Sequence, residues 1–137
     1  RPCIMASLLK VDALTGVTAA GSISVTGEGG STTTNLQQGL AKYWVTFSMV
    51  TVSQVHDSLN HSSFTDNSTG NASISFTNSF SNTLYSGAGM SVHEANVCWL
   101  NYSSNYLTGS NVVITQDNNA NGLDEDKVGI HIMGDLA

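Results

Sequence analysis

Apolar and polar positions alternate with a period of two in several short stretches, the signature of strands with one buried face. Tyr43, Val45, Phe47 and Met49 share one side of such a stretch, and Trp44, Thr46 and Ser48 the other. Ala72, Ile74 and Phe76 alternate with Ser73, Ser75 and Thr77, and Val128, Ile130 and Ile132 with Gly129, His131 and Met133. Shorter strands are predicted over 22–26 and 112–115, with a looser one over 84–90. Residues 97–100, Val-Cys-Trp-Leu, are apolar at every position and predict a strand buried on both faces, with Trp99 in the core.

The stretch 56–80 reads as strand, tight turn, strand. Phe64 and Thr65 close its first strand, and residues 66–70, Asp-Asn-Ser-Thr-Gly, form the turn, where Gly70 takes a positive φ without a Cβ clash. Helix has little support. Only residues 34–41 suit a helical turn, with Asn35 as cap and Gly39 limiting its length. Seven or eight short strands separated by turn signals predict an all-β fold, a jelly-roll or immunoglobulin-like β-sandwich over residues 35–137. Residues 1–34 lack a sustained element and read as an extended N-terminal arm. Its apolar points Leu8, Leu9, Val11, Leu14 and Val17 are poorly solvated if left free, so the arm is expected to dock on another chain.

Charge changes this picture in one respect. Charged residues make up 10% of the 137, with four cations against ten acids and a net charge of −6. The polar surface therefore comes from Ser, Thr, Asn and Gly, which suits short strands and turns. Four scattered cations build no phosphate-neutralising face, so nucleic acid is not an expected partner. No apolar run reaches the ~18 residues of a membrane-spanning helix, and the N-terminus is too short and mixed for a secretion signal. Few charges are on hand to blunt sheet edges, which favours oligomerisation.

Candidate chemistry is sparse. Asp117, Asn119, Asn121 and Gly122 match positions 1, 3, 5 and 6 of a calcium loop, but position 12 is Val128, so an acidic, solvated hairpin loop is the preferred reading. His56, His61, His93 and His131 form no paired ligand motif. His131, mid-strand between apolar neighbours, reads as half-buried; on a threefold axis it would meet its own copies. His56-Asp57 beside abundant serines lacks a nucleophile elbow, and no acidic pair stands out for glycoside cleavage, so no catalytic residue is assigned. The glycine-rich piece 27–30 is read as a linker, not a phosphate cradle. Cys3 and Cys98 are read as independent thiols, with a disulfide as the alternative. Asn60, Asn67, Asn71 and Asn101 head Asn-X-Ser/Thr matches expected by chance in so Asn- and Ser-rich a chain. No cofactor or metal site is assigned. Trp44, Trp99, Tyr102 and Tyr106 are the aromatics suited to carbohydrate or protein recognition, with residues 101–110 as the variable surface.

Several segments carry a likeness: 5–12 (MASLLKVD), 16–30 (GVTAAGSISVTGEGG), 33–44 (TTNLQQGLAKYW), 57–80 and the terminal GDLA. In these the chain resembles small tail-fibre-type virion proteins of marine tailed bacteriophages. Residues 81–127 depart from the pattern. The resemblance implies a non-enzymatic virion structural protein, a homotrimer, on the tail or capsid exterior, and makes Met5 the natural start. Leu8, Leu9, Val11, Leu14 and Val17 would attach it to other virion proteins. Asn101, Tyr102, Asn105 and Tyr106 would face a host surface glycan or protein. A capsid decoration protein, its arm clamping capsid subunits, is the alternative, and an enzyme trimming host polysaccharide a third reading.

Overall fold

The computed structural model describes residues 9–17, 23–27, 30–36, 39–50, 54–91, 96–101 and 106–137. The chain divides into two compact units, Arg1–Gln37 and Gln38–Ala137. Among the described residues every regular element is a strand.

In the first unit, β1 (Ser24–Thr26) pairs antiparallel with β2 (Thr33–Asn35), Val25 opposite Thr34. The helical turn expected at 34–41 is therefore not formed in its first residues. Thr34 is β-branched and gains a ladder partner, and Leu36 N–H still reaches Ile23 O at 2.9 Å. Leu9, Val11, Leu14 and Val17 are all exposed, Val17 at 94%; Leu8 lies outside the described residues.

Among its described residues the second unit holds eight strands in two antiparallel sheets. They are β3 (Tyr43–Ser48), β4 (Gln54–Leu59), β5 (His61–Ser68), β6 (Asn71–Phe76), β7 (Ser86–Ser91), β8 (Val97–Leu100), β9 (Ser110–Gln116) and β10 (Val128–Met133). One sheet runs β4-β3-β10-β7, the other β5-β6-β9-β8. Their inner faces share one core. Tyr43, Val45, Phe47, Val128, Ile130 and Ile132 come from the first sheet, and Ala72, Ile74, Phe76 and Val113 from the second. Two facing sheets with alternating inward residues are consistent with a β-sandwich.

Strand β4 was not legible as an element of its own, because Gln-Val-His-Asp-Ser-Leu lacks clean alternation. Pairing with β3 creates it, with an irregularity in register between Thr46 and Phe47. The chain then passes from the first sheet to the second at a single residue, Asn60, whose φ is 60°. Its side chain holds the corner: Asn60 Nδ2 donates to Asn78 O at 3.0 Å, and Asn78 N–H donates to Asn60 Oδ1 at 2.7 Å. The 66–70 turn is tighter than expected, since β5 continues to Ser68 and leaves Thr69 and Gly70 as the turn. Gly70, at φ 70°, lies so close to the neighbouring hairpin that a Cβ would stand 2.5 Å from Thr115 O and 2.6 Å from Leu123 N.

On the far side of the sandwich β7 packs against β8. A Cβ on Gly89 would lie 2.6 Å from Cys98 Sγ, and one on Gly87 2.4 Å from Leu100 Cδ1. These glycines let β7 and β8 approach, and so close that edge.

Candidate functional site

Next to Tyr106 and Leu107 lies a column of aromatic rings. Phe76 meets Phe80 edge-on with centroids 5.1 Å apart, Phe80 stacks on Tyr85 at 4.5 Å, and Tyr85 stacks on Tyr106 at 4.2 Å with planes inclined by 17°. Tyr106 O–H donates to Tyr85 O at 2.6 Å, and Tyr85 O–H donates to Leu107 O at 2.8 Å. Asn111, buried on the inner face of β9, donates its amide to the Tyr85 hydroxyl at 3.1 Å. Burial pushes the Tyr85 hydroxyl above its usual pKa, opposed by the Asn111 bond. Tyr106 is thus placed in the core, not on the host-facing surface expected of it. Stacking plus one buried carbonyl acceptor satisfies both its ring and its hydroxyl. Asn101 is half-buried and its N–H donates to Val112 O at 2.7 Å. Tyr102 and Asn105 lie outside the described residues.

The exposed aromatic is Trp99. The four apolar residues of β8 predict a core position for it. In the structure only Cys98 and Leu100 turn inward, leaving Trp99 39% and Val97 49% exposed on the outer face. Period two settles which pair is buried, and the tight approach of Gly89 to Cys98 settles the phase. A low-side-chain strand such as Ser-Gly-Ala-Gly opposite an all-apolar one is the signal that could have located it.

Trp99 stands opposite Ile114 on β9, and Ile114 opposite Asn71 on β6. The next row pairs Val112 with Ser73, and Ser73 with Thr65. One half of this outer face is mainly apolar, built from Val97, Trp99, Val112 and Ile114, with Gln116 opposite Val97. The other half carries amides and hydroxyls. Asn67 Nδ2 donates to Asn71 Oδ1 at 2.9 Å and to Ser73 Oγ at 2.8 Å, which fixes the three side chains relative to one another. An indole face, with a pre-set array of neutral donors and acceptors one strand further across the sheet, offers stacking to an apolar ring face and hydrogen bonds to hydroxyls, with no charge involved.

The acidic loop is organised by its own backbone. Asp117 Oδ1 accepts from the N–H of Asn119 at 2.8 Å and of Asn121 at 2.9 Å, and Oδ2 accepts from Asn121 Nδ2 at 3.1 Å. These bonds, Asn121's first, hold the Asp117 carboxyl below its usual pKa. Asp124 turns away and accepts Gly70 N–H at 2.7 Å. Glu125, expected in a solvated loop, is 1% exposed and takes the amide of Asn96. These three carboxylates therefore bind separate backbone or amide donors.

Cys98 carries a free thiol, pushed up to about 12 by burial and by the nearby Glu125; Cys3 lies outside the described residues. His61 Nδ1 lies 2.9 Å from the Tyr43 hydroxyl, and burial lowers the His61 pKa and raises that of Tyr43. His56 and His131 are exposed, the latter where a half-buried ring was expected. His93 lies outside the described residues. Among the described residues no three His, Cys, Asp or Glu side chains are grouped to hold a metal ion, and no helix is long and apolar enough to cross a membrane. Comparison with protein families, with characterised proteins and with solved structures finds no match.

Proposed function

We propose that this chain is a non-enzymatic structural protein of a tailed-phage particle, a tail-fibre or receptor-binding module that projects its sandwich from the virion exterior. The observation that carries the recognition role is Trp99, turned out of the core across β9 from the Asn67-Asn71-Ser73 array. That surface suits a neutral host glycan or a protein, and it adjoins residues 96–101 within the segment 81–127 that departs from the resemblance. Under this reading the sandwich is of the jelly-roll or immunoglobulin-like type, and the chain assembles as a homotrimer.

The exposed apolar residues Leu9, Val11, Leu14 and Val17 support attachment to other virion proteins. They equally support the second reading, a capsid decoration protein whose arm clamps capsid subunits.

Immunogold microscopy of intact particles with antibody against residues 81–127 separates the two. Label at the tail, with host-cell binding lost in Trp99→Ala, is the expected result. Label spread over the head moves the protein to decoration, and no label on any particle overturns both readings.

A further inference from the structure

We infer that Asn121 is a site of spontaneous covalent modification, which loses its side-chain amide as ammonia through a cyclic imide closed with Gly122. Asn121-Gly122 is the single Asn-Gly pair in the chain; every other asparagine precedes a residue that carries a side chain. The reaction needs the backbone nitrogen of the following residue to approach the asparagine Cγ. Glycine presents that nitrogen with no Cβ to obstruct it, and it adopts the backbone angles of the approach at little cost.

The loop leaves this pair open to the chemistry. Residues 118–123 are all exposed, so water and hydroxide reach the peptide. Asp117 N–H donates to Asn121 O at 3.0 Å, and Leu123 N–H donates to Thr115 O at 3.2 Å. These two bonds flank Gln116 and Gly122, which therefore face each other as a non-hydrogen-bonded pair. The ladder thus makes no use of the Gly122 N–H, and that nitrogen is the nucleophile. The Asn121 amide is engaged through its leaving nitrogen, Nδ2, which donates to Asp117 Oδ2 at 3.1 Å. That bond is exposed to solvent, and water replaces it as the ammonia departs.

The step balances without any oxidant or reductant. The Gly122 nitrogen gives its proton to water or hydroxide and bonds to Asn121 Cγ; the Cγ–Nδ2 bond breaks, and the amide nitrogen takes up a proton and leaves as ammonia. Water then opens the imide. Opening at Cγ yields aspartate, and opening at the Asn121 backbone carbonyl yields isoaspartate, whose chain runs through the former side chain. Either product adds one negative charge to a chain already at −6. It also sets a second carboxylate beside Asp117, where an amide donor stood, and like charges at that separation repel. The isoaspartate form further lengthens the backbone of a loop packed so closely that a Cβ on Gly122 would lie 2.7 Å from Thr69 O.

The test is incubation of the folded, full chain in mildly alkaline buffer, followed by anion exchange, intact mass and peptide mapping. A more acidic fraction is expected, heavier by about 1 Da per chain, the balance of ammonia lost and water gained. Mapping is expected to place the change at residue 121, as aspartate and isoaspartate together. Conversion there outpaces that at any other asparagine by about tenfold or more, through relief of crowding at the attacking nitrogen. Asn121→Gln, which keeps the amide but would have to close a larger ring, abolishes the shift. A chain unfolded in urea, where the pair is fully accessible, verifies that the conditions suffice. A folded chain that keeps its mass while the unfolded one converts overturns the inference. So does conversion that is equally fast at another asparagine, or that survives Asn121→Gln. This chemistry is independent of where the protein sits on a particle.

Discussion

Tyr106 separates a surface role from a packing role, and substituting it gives numbers that decide between them. In Tyr106→Phe the ring stays stacked on Tyr85, but the hydrogen bond to Tyr85 O at 2.6 Å is lost. A buried carbonyl left without its donor costs about 1.5 kcal/mol. The unit Gln38–Ala137 unfolds with an entropy of roughly 0.2 kcal/mol/K at the usual per-residue value, so the midpoint falls by about 7 °C. Tyr106→Ala also removes the ring from the end of the column, where Tyr85 loses its stacking partner. Large-to-small core changes of this kind cost about 3–5 kcal/mol, or 15–25 °C on the same scale. That is a large share of a typical domain's stability. The assay is a near-ultraviolet circular dichroism melt, run beside a host-cell binding measurement. Tyr106→Ala that melts within 2 °C of wild type while losing host binding would refute the placement of this ring in the core and restore it as a contact residue.

Two further outcomes follow from single positions. Gly70→Ala places a Cβ within 2.7 Å of three backbone atoms at φ 70°, so it destabilises by about 2 kcal/mol or more in urea titration, where the left-handed conformation alone accounts for roughly 1; a neutral result would mean the β5-β6 turn relaxes freely. The His61 pKa is lowered in the folded state by burial, so the unfolded chain binds the proton first. Stability is full above the ordinary histidine pKa of about 6.5 and falls as pH drops through it towards the folded value. His61→Gln should flatten that part of the stability-against-pH curve, read from denaturation midpoints between pH 7.5 and 5.

What was legible in the sequence was the buried half of each alternating strand. Tyr43-Val45-Phe47, Ala72-Ile74-Phe76 and Val128-Ile130-Ile132 all face the core as their period required. What was not legible depends on contacts distant in sequence. Nothing local marks the break at Asn60, where 56–65 reads as one strand, since β3 supplies the ladder of Gln54–Leu59. Nothing local marks which face of Val97–Leu100 is inner, since the glycines of β7 decide it. Tyr106 and Trp99 exchanged their expected places for this reason. Both are large aromatics near one loop, and strand phase and a single carbonyl acceptor sort one inward and the other out. Glu125 was hidden similarly: its acidic neighbours suggest solvent, whereas the amide of Asn96 and the N–H of Met49 draw it in.

The two tryptophans of the described sandwich stand on opposite outer faces, Trp44 on the first sheet and Trp99 on the second. Sheets stacked face to face turn their outer faces away from one another, so the Trp44 face and the Trp99 surface are directed oppositely. A single indole with three small polar side chains offers a modest footprint and weak binding per copy. Joining copies converts later contacts into intramolecular ones, and avidity gains of about 10²–10⁴ follow when the geometry spans the target. Met90→Glu, at an exposed residue on the opposite sheet, leaves binding to whole cells and to a single soluble ligand unchanged. Trp99→Ala lowers both equally without changing mass. Equal losses of cell and soluble-ligand binding from both variants would refute the assignment of recognition to the Trp99 surface.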